Sequence, residues 1–366
     1  MAKASFYLQG NNEGSLETLL QTQRPEIKIL KSITLMICLW FVLAGLASFL
    51  FPDTADKQNT LSSYLSYSIR NGGPFLVICG LLQLMNIARK SGKKSVLEYM
   101  MDKKEIFGPA AKRVLCSALF GLLTFAIFMM SYSTIKTRIP ALNPYSWDNS
   151  FVALDQLLFF GHHPWILFSW IYDYPLIVRA MDVIYDVWAA LLVGIWTLCF
   201  VNRKHSAAVR YRFPIALMLT WFLGGTLMAI SLSSVGPCYL EPLTGNNGPY
   251  GDQMAYLNEL HNKGALRAIN YQGILWNVYA QGSFGLGGIS AMPSMHCGTS
   301  ALLVLLAWNR PVIRILAIAF FIFIFISSFM LAWHYAVDGI LVIPVVLLSW
   351  WLAGKMTTKA ASTSRD

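Results

Sequence analysis

Along this chain, long apolar runs alternate with shorter polar stretches, and the runs approach the thickness of a bilayer. A crossing helix needs about 20 mainly apolar residues. Eight stretches come close: 32–51, 73–88, 114–132, 183–201, 213–235, 294–309, 315–331 and 334–353. The pattern predicts an all-α, polytopic membrane helix bundle of about eight spans. The first run begins after a polar segment, with no short apolar core and small-residue cleavage site, so it is expected to be a retained span. Within residues 1–31, Leu16, Leu19 and Leu20 suit a short interfacial helix or a loose tail equally.

Composition agrees with the pattern. The 366 residues are 56% hydrophobic and 13% charged, against roughly 25% charged in an ordinary soluble domain. The net charge of +10 could point to nucleic acid, but its distribution points elsewhere. Of 28 Lys and Arg, 21 fall on one side of the eight-span topology. They occupy the N-terminal tail, the segments 89–113, 202–212 and 310–314, and the C-terminal tail. The other side holds only Lys57, Arg70, Lys136, Arg138, Arg179, Lys263 and Arg267. Cytoplasmic loops accumulate Lys and Arg, so both termini are expected in the cytoplasm, and the basic excess orients the chain without implying a nucleic-acid partner. The segment 89–113, with eight basic residues, suits the anionic inner leaflet.

Two loops on the sparsely charged side are long. The first, 133–182, holds "WDNSFVALDQLLFFGHHPWILFSWIYDYP", apolar clusters broken by Gly161, His162, His163 and Pro164 and bounded by Trp147 and Trp170, which suits interfacial helices. The second, 236–293, is rich in Gly, Asn and Tyr, and its length predicts a cap over a site. Cys38, Cys79, Cys116 and Cys199 fall in or at the ends of apolar runs and read as core residues. Cys238 and Cys297 share the outer side, where spacing alone does not pair them.

The chemistry gathers at two histidines. His296, in "AMPSMH", and His334, in "AWHYAVD", stand at the starts of the sixth and eighth runs, which both enter from the same side, so both can face one shallow cavity. Asp338 follows His334 by one helical turn, on the same face. A carboxylate there can hold one imidazole nitrogen and leave the other free to attack. Helix N-termini favour anions, Pro293 suits a first turn, and Gly285, Gly287 and Gly288 permit a close backbone approach. A phosphate between the histidines would meet NH donors, the Ser294 hydroxyl, a nucleophile and a proton donor. The same side chains could instead hold a metal in a facial triad, a reading weakened by the lack of further ligands.

"PSMH" followed by Ser327, His334 and Asp338 in the spacing S-x6-H-x3-D resembles the second and third signature motifs of the type 2 phosphatidic acid phosphatase superfamily. "AMPSMH" with "HYAVD" is most similar to its inositol phosphorylceramide synthase-like (inositolphosphotransferase) branch. The resemblance implies a six-span catalytic core over 114–354, with 1–113 contributing a tail, two added spans and a basic loop, and 355–366 a cytoplasmic tail. It implies His334 as the nucleophile of a phosphohistidine intermediate, His296 as the acid on the leaving group, Asp338 orienting His334, and no cofactor or metal.

Two features depart from the family. Ser327–Ser328 stands where the superfamily has Ser-Arg, and no Lys-x6-Arg-Pro motif occurs upstream. Arg179, Lys263 and Arg267 are therefore the expected substitute cations. Asp182 and Asp186, one turn apart beside Arg179, suit either headgroup binding or an internal ion pair. Tyr239 suits a substrate hydrogen bond or an interfacial anchor. The expected function is transfer of a phosphoryl-linked headgroup from a phospholipid to a lipid or polyol alcohol. The alternatives are hydrolysis of phosphatidate or a polyprenyl pyrophosphate and, from another class, transport along a path of Arg179, Asp182 and Asp186. Short tails and compact loops favour a bacterial inner membrane with the site on the periplasmic side; membrane lipids are the expected partners.

Overall fold

The computed structural model describes residues 3–52, 61–90, 109–246, 248–264, 266–282 and 287–362. Most of the basic loop expected at 89–113 lies outside the described residues, as does Gly285. The described chain is helical throughout, without a strand. Its helices are α1 (Lys3–Leu50), α2 (Leu61–Lys90), α3 (Pro109–Lys136), α4 (Asp148–Leu158), α5 (Pro175–Val201), α6 (Ala207–Phe222), α7 (Pro237–Thr244), α8 (Gly251–Gly264), α9 (Arg267–Ala280), α10 (Met295–Leu306), α11 (Pro311–Met330) and α12 (Ala336–Ser362). Pro175, Pro237 and Pro311 stand in first turns, where a missing N–H costs nothing.

Among the described residues, six segments are long and apolar enough to cross a membrane: 25–50, 112–142, 175–201, 207–231, 311–330 and 336–360. The chain is an integral membrane protein. Two of the eight expected spans are not among the six. The stretch 73–88 falls within α2, and the sixth is the 12-residue α10. Twelve residues rise about 18 Å, short of a hydrocarbon core of about 30 Å. Of the expected run 294–309, Ser294 serves as the N-cap and residues 307–309 turn toward α11 instead of continuing the helix.

The exterior is apolar: Val312, Ile315 and Leu316 on α11, Leu119 on α3 and Leu176 on α5 are all exposed. Since lipid is as apolar as these side chains, the helices must be held by close packing. Trp40, Phe128, Tyr132, Trp196 and Trp221 interlock in the interior, Phe128 stacking on Trp196 at 5.8 Å and Tyr132 meeting Trp221 edge-on at 4.4 Å. Near the histidines small residues set the spacing. A Cβ on Gly298 would come 2.9 Å from Val342, and one on Gly339 would come 2.7 Å from Phe325 and 3.0 Å from Cys297 Sγ. These contacts bring α10, α11 and α12 together.

The first long loop forms α4, one turn at Pro164–Leu167 and a 3-10 segment at Ser169–Asp173. Its Leu157, Phe160 and Trp170 are exposed, while Asp148, Phe151 and Asp155 turn inward. Inside it, the Gln156 amide donates to His163 Nε2 at 3.1 Å. The second forms α7, α8 and α9. After α6 the backbone passes through a π-helical segment, Leu223–Met228, of a kind frequent at functional sites. There Gly224 and Gly225 lie against Pro293 and Met295, seating the Pro-Ser-x-His segment on α6.

Candidate active site

Three loops meet at one end of the bundle: 232–236 after α6, 287–294 before α10, and 331–335 between α11 and α12. They are tied by backbone bonds. Ala291 N donates to Ser234 O at 3.0 Å, Ser294 N to Asp338 O at 3.2 Å, and Cys238 N to Ala332 O at 3.0 Å. Gly236 has φ +91°, and a Cβ there would meet Ala291 Cβ at 2.9 Å and Trp333 O at 3.1 Å, so only glycine fits where the three loops touch.

Two carboxylates from α4 fasten the assembly. Asp148 accepts from Val235 N at 3.0 Å, Gly236 N at 2.9 Å and the Tyr335 hydroxyl at 2.8 Å. Asp155 accepts from Ala336 N at 2.9 Å and Val337 N at 2.8 Å, serving as a distant N-cap for α12. Burial pushes the Asp155 carboxyl up to about 7; its two N–H donors pull the other way and nearby Asp338 adds to the rise. "WDNSFVALDQ" carries the only sequence sign of this pair: positions seven apart, two helical turns, lie on one face.

On this platform the rings of His296 and His334 stand 6.2 Å apart, centroid to centroid. His334 Nδ1 lies 2.8 Å from the Ala291 carbonyl and 3.2 Å from Asp338 Oδ2. A carbonyl can only accept, so Nδ1 carries the hydrogen and Nε2 keeps its lone pair. Asp338 is fully buried; its Oδ2 also accepts from Tyr335 N at 3.1 Å, and its Oδ1 has no partner. His296 is half-buried between two aromatic rings of α5, with Tyr185 stacked at 4.2 Å and Trp188 tilted at 4.1 Å. The Tyr185 hydroxyl and the Trp188 indole N–H are buried without a hydrogen-bond partner, so two donors stand ready beside the histidine. A nucleophilic imidazole nitrogen facing a second imidazole is an arrangement able to attack one end of a phosphoester and protonate the other.

Most of the other residues singled out from the sequence are engaged elsewhere. Ser294 caps α10, its Oγ accepting from Cys297 N at 3.4 Å. Asp182 accepts from Arg267 N and Ala268 N, each at 2.8 Å, capping α9, and Arg267 pairs with Asp186 at 2.9 Å. These groups dock α9 onto α5, and their hydrogen bonds go to one another. Arg179 lies against Gly264, with its Nε buried and unpartnered. Lys263 pairs with Glu259 on an exposed face of α8. Tyr239, buried, donates to Gln272 O at 3.2 Å and stacks on Trp276, tying α7 to α9. Cys238 and Cys297 are both free thiols.

Sequence reasoning missed the Ala291 carbonyl, Asp148, Asp155, Tyr185 and Trp188, and counted Lys136 only as a charge. The Lys136 ammonium acts electrostatically on both His296 and His334.

Among protein families, the model described as the PAP2 superfamily matches residues 149–352, which hold both histidines and Asp338. Neither curated proteins nor solved structures gave a match.

Proposed function

The chain belongs to the PAP2 superfamily, and from that premise we propose a lipid phosphotransferase that works through a phosphohistidine on His334. Membership makes it a membrane enzyme of phosphatase or phosphotransferase type that acts on membrane lipids. The finer reading is carried by one observation: His334 Nδ1 is committed to the Ala291 carbonyl and Asp338, leaving Nε2 free opposite His296.

In this scheme His334 Nε2 attacks phosphorus, a P–N bond forms, and the P–O bond to the donor lipid breaks as His296 passes its proton to the departing oxygen. Positive charge arising on His334 is met by Asp338 at 3.2 Å. Neutral His296 then takes a proton from the acceptor alcohol, whose oxygen attacks phosphorus and releases His334. Trp188 N–H and Tyr185 O–H supply donors that become satisfied when phosphoryl oxygens arrive. Transfer to an alcohol is favoured over transfer to water by enclosure, since His334 is 8% exposed and Asp338 fully buried. The same similarity of "AMPSMH" and "HYAVD" supports a headgroup transferase of the inositolphosphotransferase type. The charge bias supports a site on the non-cytoplasmic side, with both termini in the cytoplasm.

The test is incubation of purified protein with lipids labelled at phosphorus and candidate lipid and polyol alcohols. A new labelled phospholipid, with acid-labile label on His334, is expected. Free phosphate or a free phosphorylated headgroup as sole product assigns hydrolysis, and turnover surviving His334→Ala refutes the scheme.

A further inference from the structure

Phosphoryl transfer spreads negative charge over the equatorial oxygens and is accelerated chiefly by fixed positive charge. The chain lacks the arginine and the lysine-arginine pair that its superfamily resemblance would place there, so that charge must come from another residue. Three of the basic side chains on the same side of the chain are spent. Arg267 pairs with Asp186, Lys263 with Glu259, and Arg138 donates to Phe51 O, Thr134 O and Thr137 Oγ.

Lys136 differs in three respects. It closes α3 beside the loop that carries the Pro-Ser-x-His segment. Gly287 N donates to Ser133 Oγ at 3.2 Å, and Gly288 lies so close that a Cβ would come 2.8 Å from Thr137 Cα and 3.0 Å from the Lys136 carbonyl carbon. Its side chain is half-buried and forms no ion pair or hydrogen bond among the described residues. Its charge acts on both imidazoles. A sheltered ammonium without a counter-ion, beside the one place where two histidines converge, awaits an anion from outside the protein.

We propose that Lys136 binds the transferring phosphoryl group, standing in from the end of α3 for the cations missing from the two motifs. The inference rests on the phosphotransferase reading above. It also explains the tight glycine contact. Any side chain at position 288 would push the loop off α3 and separate the ammonium from His296.

The experiment compares wild type with Lys136→Met and Lys136→Arg in three measurements: labelling of His334 from a phosphorus-labelled lipid, thermal shift on adding orthovanadate, and melting temperature without ligand. Lys136→Met, which removes a poorly solvated charge and keeps the volume, should melt at or above the wild-type temperature. It should nonetheless label at least about 100-fold more slowly and lose its shift with vanadate. Lys136→Arg should recover most of both. A purely structural lysine would instead lower melting temperature and activity together. Wild-type labelling and vanadate response in Lys136→Met, or failure of that variant to fold, overturns the inference. Absence of label on wild-type His334 defeats the phosphotransferase reading, and a vanadate shift that depends on the Lys136 charge would still establish the anion site.

Discussion

Replacing Asp338 with Asn isolates what the carboxylate adds to His334. In a triad whose imidazole depends on the carboxylate alone, this exchange costs about 10⁴-fold because the ring adopts the wrong tautomer. Here the tautomer has a second guardian, since Nδ1 lies 2.8 Å from the Ala291 carbonyl and 3.2 Å from Asp338 Oδ2. The asparagine oxygen can replace Oδ2 and still accept from Tyr335 N, while its amide takes the place of Oδ1, which has no partner to lose. What disappears is charge stabilisation of the imidazolium. Across 3.2 Å the gross attraction is about 5 kcal/mol at an effective dielectric constant of about 20. The net worth of a hydrogen bond to a charged group is about 1.5–3 kcal/mol. Asp338→Asn should therefore slow His334 labelling about 10- to 150-fold, measured by acid quench in a single turnover at saturating lipid. A loss of about 10⁴-fold or more in a folded variant would show that Asp338, not Ala291, holds the tautomer. A loss under about threefold would remove Asp338 from the support of the nucleophile.

His296→Gln should abolish turnover of alkyl phosphoesters yet retain substantial labelling from an aryl phosphate, whose phenolate leaves without a proton; equal losses on both would deny His296 the acid role. Gly236→Ala must adopt φ +91° and push against Ala291. It should cost about 1–3 kcal/mol of stability and reduce activity through displacement of the carbonyl that holds His334, checked by melting and by turnover at a temperature where the variant is folded. Asp155 has a raised folded value of about 7. The folded state thus binds its proton more tightly than the unfolded chain, and this contribution is full below pH about 4 and fades as pH climbs to about 7. Melting temperatures across that window should fall less steeply with rising pH in Asp155→Asn than in wild type, and parallel slopes would contradict the assignment.

Some of this protein is legible in one dimension because the physics is local. A span is a continuous apolar run, so an all-helical membrane bundle follows from hydropathy. The relation of His334 to Asp338 is one helical turn, so their contact follows from spacing. The start of α10 is marked by Ser294, whose hydroxyl caps the helix, while Pro293 stands just before that cap and not in the first turn where the sequence suggested it. The early end of α10 was not legible, because residues 307–309 continue the apolar run in sequence while the backbone there turns toward α11. Asp182, Asp186 and Arg267 are charged groups at a span end, and only the position of α9, 81 to 86 residues away, turns them into a docking joint. The Ala291 carbonyl is invisible to side-chain reasoning, since any residue carries one and its use depends on the loop reaching His334. Tyr185 and Trp188 read as ordinary span aromatics until α5 places them on either side of His296. Sequence determined which groups could do the chemistry, through patterns within a few residues. Tertiary structure decided which nitrogen is free, which carboxylates brace the loops and which ammonium stands near both histidines, because those relations join helices that are far apart along the chain.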